Sequence, residues 1–283
     1  MNQMTVAGLV GRTLAQLGAA HAFGVVGSGN FHLTNALREN GVPFTAARHE
    51  GGAATMADAY SRMSGMVSIL TTHQGCGLTN AATGIGEAAK SRTPMIVLTA
   101  DAAGSAVRSN FRIDQDGLAR SLGAVPERVY SAQSAVADVV RAFRTAQNER
   151  RTVVLSVPLD VQAQPVPERT PERVPPVAPT GFVRPAPTLV RGLADLLSTV
   201  KRPVFVAGRG ARDAGEELKA LAAQSGALLA TSAVANGLFE GEEFNLGISG
   251  GFSTPETAAL IREADLIIGW GCTLNMWTMR HGS

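Results

Sequence analysis

Glu50 is the first residue with chemical potential, because it stands in a run of small residues, Ala47-Arg48-His49-Glu50-Gly51-Gly52-Ala53-Ala54. It follows a strand-like run, Val42 to Ala47, and precedes a stretch that opens a helix carrying Met56 and Tyr60. A carboxylate there lies near a helix N-terminus, and the small residues after it let a ligand or a partner backbone approach closely. Complementing the helix dipole would by itself account for a lone glutamate, so its companions decide its meaning. Three other segments pair an apolar run with a small or polar turn: Gly27-Ser28-Gly29-Asn30, His73-Gln74-Gly75, and Asp101. Ser28 and His73 are polar side chains of these turns. Two plainer readings stay open, a helix N-cap for Ser28 and a solvated loop residue for His73.

The elements that must hold these groups alternate in two patterns. Amphipathic stretches place apolar residues three and four apart, as in Val6, Leu9, Val10, Leu14 and Leu17, with Thr5 as an N-cap. Between them run short, continuously apolar segments: Phe23-Gly24-Val25-Val26, Val67-Ser68-Ile69-Leu70, Met95 to Leu98, and Val153 to Val157. Such runs fit strands covered on both faces, and their alternation with helices predicts a parallel, doubly wound α/β sheet. Ligands of such sheets bind beyond the carboxyl ends of the strands, where all four turns fall.

Bulk properties exclude several classes. The chain has 283 residues, 45% hydrophobic and 17% charged, with a net charge of +2 and no basic cluster. Nucleic acid is therefore not expected as a partner. Cys76 and Cys272 are isolated and fit no metal-ligand spacing, so no metal site is expected within the chain. No apolar run approaches bilayer length and no signal peptide opens the chain, which makes cytoplasmic the default location. Eight of the fourteen prolines fall between Pro165 and Pro187. The expected organisation is a first domain over 1–163, a Pro-rich linker over 164–187 and a second α/β domain over 188–283.

Four stretches together resemble the thiamine-diphosphate enzymes that include acetohydroxyacid (acetolactate) synthase, pyruvate oxidase and benzoylformate decarboxylase. They are Phe23 to Asn30, Arg48 to Arg62, His73 to Asn80 with Ser91 to Leu98, and Val153 to Asp160. The resemblance implies a pyrimidine-binding domain followed by an incomplete Rossmann-like central domain. It implies that Glu50 hydrogen-bonds the cofactor's aminopyrimidine and promotes its imino tautomer, from a dry pocket that raises the carboxyl pKa. Gly27, Gly75 and Asn80 join Glu50 as expected cofactor neighbours. Ser28 and His73 occupy the positions of a serine and a histidine that face the substrate in the decarboxylase branch. Gln74, Phe111 and Gln115 are expected to line the substrate space. Arg112 stands where the family pairs glutamine with Phe111, and Gln115 would take over its polar role. Cys76 stands where the family often has proline and reads as a small apolar filler.

The implied activity is decarboxylation or carboligation of a small 2-oxo acid, a lyase or transferase reaction. The alternative is a non-catalytic assembly or nucleotide-binding protein that keeps the fold. The family holds Mg²⁺ through a Gly-Asp-Gly motif, which these 283 residues do not contain. The Mg²⁺ ligands, and the diphosphate-binding domain, are then expected from a homodimer or a partner chain. A truncated chain, a split enzyme and a degenerate copy all fit that pattern. FAD is a further candidate cofactor, because some relatives bind it in the central domain. The turn Gly208-Arg209-Gly210-Ala211-Arg212 is the place to look for it, although a plain tight turn is the commoner meaning.

Overall fold

The computed structural model describes residues 4–178, 181 and 183–282. Residues 1–3, 179–180, 182 and 283, which fall in the expected first domain, linker and second domain, lie outside the described residues. Two compact units divide the chain, Met1–Gly181 and Phe182–Ser283.

The first unit opens with α1 (Val6–Leu17), β1 (Ala22–Gly24), α2 (Phe31–Glu39), β2 (Phe44–Ala46), α3 (Glu50–Ser64) and β3 (Ser68–Thr72). It continues through α4 (Cys76–Asn80), α5 (Ala82–Lys90), β4 (Met95–Asp101), α6 (Gln115–Ser121), β5 (Val125–Arg128), α7 (Ala135–Asn148), β6 (Thr152–Pro158) and α8 (Leu159–Gln162). Its six strands are all parallel, in the order β2-β1-β3-β4-β6-β5. The expected α/β class and parallel sheet are present. Within β4, Ile96 and Leu98 enter one buried cluster while Met95 and Val97 enter another. Alternate side chains thus point to opposite, equally apolar faces, which is why the sequence shows an unbroken run. The first cluster is completed by α1 and α7, through Leu9, Leu14, Val139 and Phe143; the second by α3 and α5, through Ala53, Ala57, Ile85 and Ala88.

Successive connections run to opposite sides of β1, first to β2 and then to β3. The carboxyl ends of β1 and β3 therefore diverge, leaving the kind of crevice in which doubly wound folds bind ligands. The helix that carries Glu50 is fastened behind it. Asp58 on α3 accepts from Arg62 Nε at 2.9 Å and from Thr93 Oγ1 at 2.6 Å, and Arg62 reaches Glu87 on α5. Burial works against the Arg62 charge, but its bonds to Asp58 and Glu87 prevail and raise its pKa.

Residues 165–178 lie back over the first unit. Thr5 pairs with Pro165, Arg12 donates to the Pro171 carbonyl, and Gln16 brackets the segment through Glu172 and Val174. Proline removes donors but leaves carbonyls, and α1 supplies the donors that meet them. The stretch that composition marks as a spacer is, over these residues, a strap.

The second unit comprises α9 (Pro187–Thr199), β7 (Pro203–Ala207), α10 (Gly215–Ser225), β8 (Leu228–Thr231), β9 (Asn245–Ile248), α11 (Pro255–Arg262) and β10 (Leu266–Trp270). Its parallel sheet runs β10-β7-β8-β9, with Phe205, Ala207 and Leu229 buried beneath α9 and α10. The order reverses at β7, so a second crevice is expected between β7 and β10.

Candidate active site

Glu50 occupies the first turn of α3, beyond the carboxyl end of β2. The helix is capped by its neighbour, since His49 Nδ1 accepts from the Gly51 N–H at 3.0 Å. Glu50 Oε2 accepts from Asn80 Nδ2 at 3.1 Å, while among the described residues Oε1 takes no hydrogen bond. A Cβ added at Gly77 would lie 3.3 Å from Oε1 and 3.1 Å from His73 Cβ. The missing side chain at Gly77 keeps room beside the free oxygen. Glu50 is half-buried, so the dry surroundings implied for it are not completed by the described residues of this chain.

Ser28 and His73 face each other across the crevice between β1 and β3. His73 Nδ1 lies 2.8 Å from the Gln74 carbonyl. A carbonyl can only accept, so Nδ1 carries the proton and Nε2 of the neutral ring is an acceptor. Ser28 Oγ lies 3.4 Å from that Nε2, a long contact that directs the hydroxyl toward it. The Phe111 ring stands edge-on to His73 with centroids 4.8 Å apart. Ser28 is exposed and His73 half-buried, so both remain accessible from the crevice.

Beneath these groups lies a layer of buried amides. Asn30, fully buried, accepts from the Gly27 N–H at 2.8 Å and donates to the Val25 carbonyl and to Thr71 Oγ1. Gln162 donates to the Gly29 and Val157 carbonyls. Together they fix the Ser28 turn from below. Gln115 is 2% exposed, and both its N–H groups and its oxygen are bonded internally. The expected placement of Gln115 on the substrate side therefore does not match its geometry: its hydrogen bonds run into the sheet. Gln74 is also buried, its side-chain amide filling the place of a Cβ on Gly29, and its Oε1 has no partner among the described residues. Cys76, read as a small apolar filler, is exposed at the start of α4.

Sequence reasoning reached Glu50, Asn80, Ser28, His73 and Phe111, and the structure brings them to one end of the sheet. It missed Asn30 and Gln162. The available signal was a polar residue directly beyond an apolar run, which is common in turns of every kind.

Two family models match the chain: the thiamine pyrophosphate enzyme N-terminal TPP binding domain over residues 4–119, and the thiamine pyrophosphate enzyme central domain over residues 190–282. The chain belongs to the thiamine pyrophosphate enzyme family. Among its relatives is a probable 2-ketoarginine decarboxylase of Pseudomonas aeruginosa, 32% identical over 267 residues, covering 92% of this chain and 47% of the relative. A sulfoacetaldehyde acetyltransferase of Roseovarius nubinhibens is 26% identical, covering 96% of this chain and 45% of that protein. An acetolactate synthase of Mycobacterium bovis is also 26% identical, with 96% and 45% covered. The chain thus spans about half the length of the curated relatives it matches.

The donor set suits the pyrimidine end of the family's cofactor: a carboxylate with one anchored and one free oxygen, beside a glycine that leaves space. In the second unit, the Gly208 and Gly210 N–H groups bond the Trp270 and Gly271 carbonyls, at 2.8 and 3.1 Å. The Ala211 N–H bonds Gly208. These three donors of the glycine turn are committed internally and are not available to a diphosphate. Among the described residues no helix is long and apolar enough to cross a membrane. No group of three metal-ligating side chains occurs among them either.

Proposed function

We propose that this chain supplies the pyrimidine-side half of a thiamine-diphosphate active site acting on a small 2-oxo acid, by decarboxylation or carboligation. The observation that carries this reading is the division of labour on Glu50, whose Oε2 is fixed by Asn80 while Oε1 stays free beside Gly77. Thiamine diphosphate, when bound, supplies the electron sink that such carbon–carbon chemistry requires.

With the cofactor bound, Glu50 Oε1 would hold a proton against an aminopyrimidine nitrogen. Asn80 stops the carboxylate from rotating away. Closing the half-buried site would remove water from the carboxyl group and bring its proton affinity closer to that of a weakly basic ring nitrogen. Across the crevice, the Ser28 hydroxyl donates to a substrate carboxylate, and His73 Nε2 is placed to take up a proton. Phe111 restricts the His73 ring. Mg²⁺ and the diphosphate-binding groups come from a second polypeptide segment, in a homodimer or a partner chain.

The test is C2 deuterium exchange of thiamine diphosphate, followed by NMR in the assembled enzyme. Glu50→Gln keeps the shape and loses the proton, so exchange should slow by about 10²–10⁴-fold. Unchanged exchange would reject the assignment and favour a non-catalytic protein that keeps the fold.

A further inference from the structure

Gln115 has a feature the proposed mechanism does not use. Its buried side chain links three segments that are distant in sequence. Nε2 donates to the Ala100 carbonyl in β4 at 3.0 Å and to Ser156 Oγ in β6 at 3.2 Å. Oε1 accepts from the Gly75 N–H at 3.0 Å. Gly75 has φ +63° and precedes α4 without any side-chain cap of its own. Substituents there are excluded twice, by the left-handed φ and by the Phe111 carbonyl packed against its Cα. Among the described residues, the Gly75 N–H is held by Gln115 alone.

That turn governs both reactive groups. His73 and the Gln74 carbonyl that fixes its tautomer lie immediately before Gly75. Gly77 and Asn80, which respectively clear and anchor the Glu50 oxygens, lie immediately after it on α4. Helix α4 has only five residues, too few to be stable without outside support.

We propose that Gln115 is a positioning residue that ties the Gly75 turn to the rigid ends of β4 and β6, and so sets the placement of Asn80 against Glu50. The inference rests on the reading of Glu50 given above, but its first tests do not. In the unaltered 283-residue chain, the Gly75 amide should exchange with deuterium at least about tenfold more slowly than the Cys76 and Gly77 amides, as expected for one well-made buried hydrogen bond. Gln115→Met, which keeps length and removes the bonds, should speed exchange across 75–80 by about tenfold. In a Cys272→Ser background it should also raise alkylation of Cys76 by iodoacetamide, while segments in α1 and α7 stay as they were. Gln115→Glu keeps the acceptor for Gly75 and should leave the turn within about twofold of the parent, even if overall stability falls further.

A Gly75 amide that exchanges as fast as its neighbours would overturn the proposal, as would equal loosening of the turn by both variants or by neither. In the assembled enzyme, Gln115→Met should slow C2 exchange by about tenfold, with thiamine diphosphate and Mg²⁺ as the only additions. If it does not, while Glu50→Gln does, the positioning role fails and the Glu50 reading survives. If Glu50→Gln has no effect, the Glu50 reading itself has failed.

Discussion

The two units of this chain solve the same topological situation in opposite ways. Each has a parallel sheet whose strand order reverses, at β1/β3 in the first unit and at β7/β10 in the second. In the first, the diverging strand ends carry side chains with free valence: Ser28, His73 and, beyond β2, Glu50. In the second, the corresponding turns bond each other through their backbones, Gly208 to Trp270 and Gly210 to Gly271. A switch point offers a place for a ligand, but its turns decide whether it is open. Here buried amides beneath the first crevice satisfy the backbone from below and leave the upper side chains available. In the second, backbone satisfies backbone and fills the gap.

That contrast can be broken at several points. Beyond Glu50 itself, the largest effect is expected at His73. In the assembled enzyme, His73→Ala should lower turnover of a 2-oxo acid such as pyruvate by about 10²-fold, measured by steady-state kinetics. A loss below about threefold would return His73 to the plain loop reading. Next, Gly271→Ala should destabilise the second unit by about 2 kcal/mol in denaturant unfolding, because Gly271 combines φ +55° with backbone neighbours at Gly210 and Ala211. Full tolerance would mean that the second crevice is looser than its hydrogen bonds imply. Asn80→Ala should slow C2 exchange by about tenfold, as the loss of one hydrogen bond to a charged group. The unaltered second crevice serves as the internal control.

The smallest effect concerns Asp265, which tests how tightly the second unit is closed. Backbone hydrogen bonds from Lys201, and then Arg202, hold its carboxyl below the ordinary aspartate range. Its folded pKa lies below the unfolded one. The stabilisation is therefore fully present above about pH 4 and is lost as pH falls through the lower, folded value. Asp265→Asn should flatten that acid-side slope in thermal melts, with little change at pH 7. An unchanged slope would show that the carboxylate adds nothing to closure.

Much of this was legible because it is local. The unbroken run at Met95 to Leu98 reports a strand covered on both faces, and the small residues after Glu50 report a helix start with open space. The Asp58–Arg62 pair is local, one helical turn apart, while its third partner, Thr93, lies 35 residues away. The misses are non-local or weakly patterned. Strand β5, with Pro126, Glu127 and Arg128, sits at a sheet edge and is half-buried, so it carries neither an apolar run nor clean alternation. Strand β9, Asn245–Ile248, is similar. Gln115 was found as a polar residue near the site, but its direction depends on Ser156, 41 residues onward. Cys76 reads as a small apolar filler, and α4 begins at that residue and leaves it exposed.

The central claim is that the first crevice, and not the second, receives the cofactor. Hydrogen-exchange mapping of the assembled enzyme, with and without thiamine diphosphate and Mg²⁺, tests it most directly. The expected result is added protection at residues 48–52 and 73–80, with residues 208–212 and 271 unchanged. Protection confined to 208–212 and 271 would contradict it.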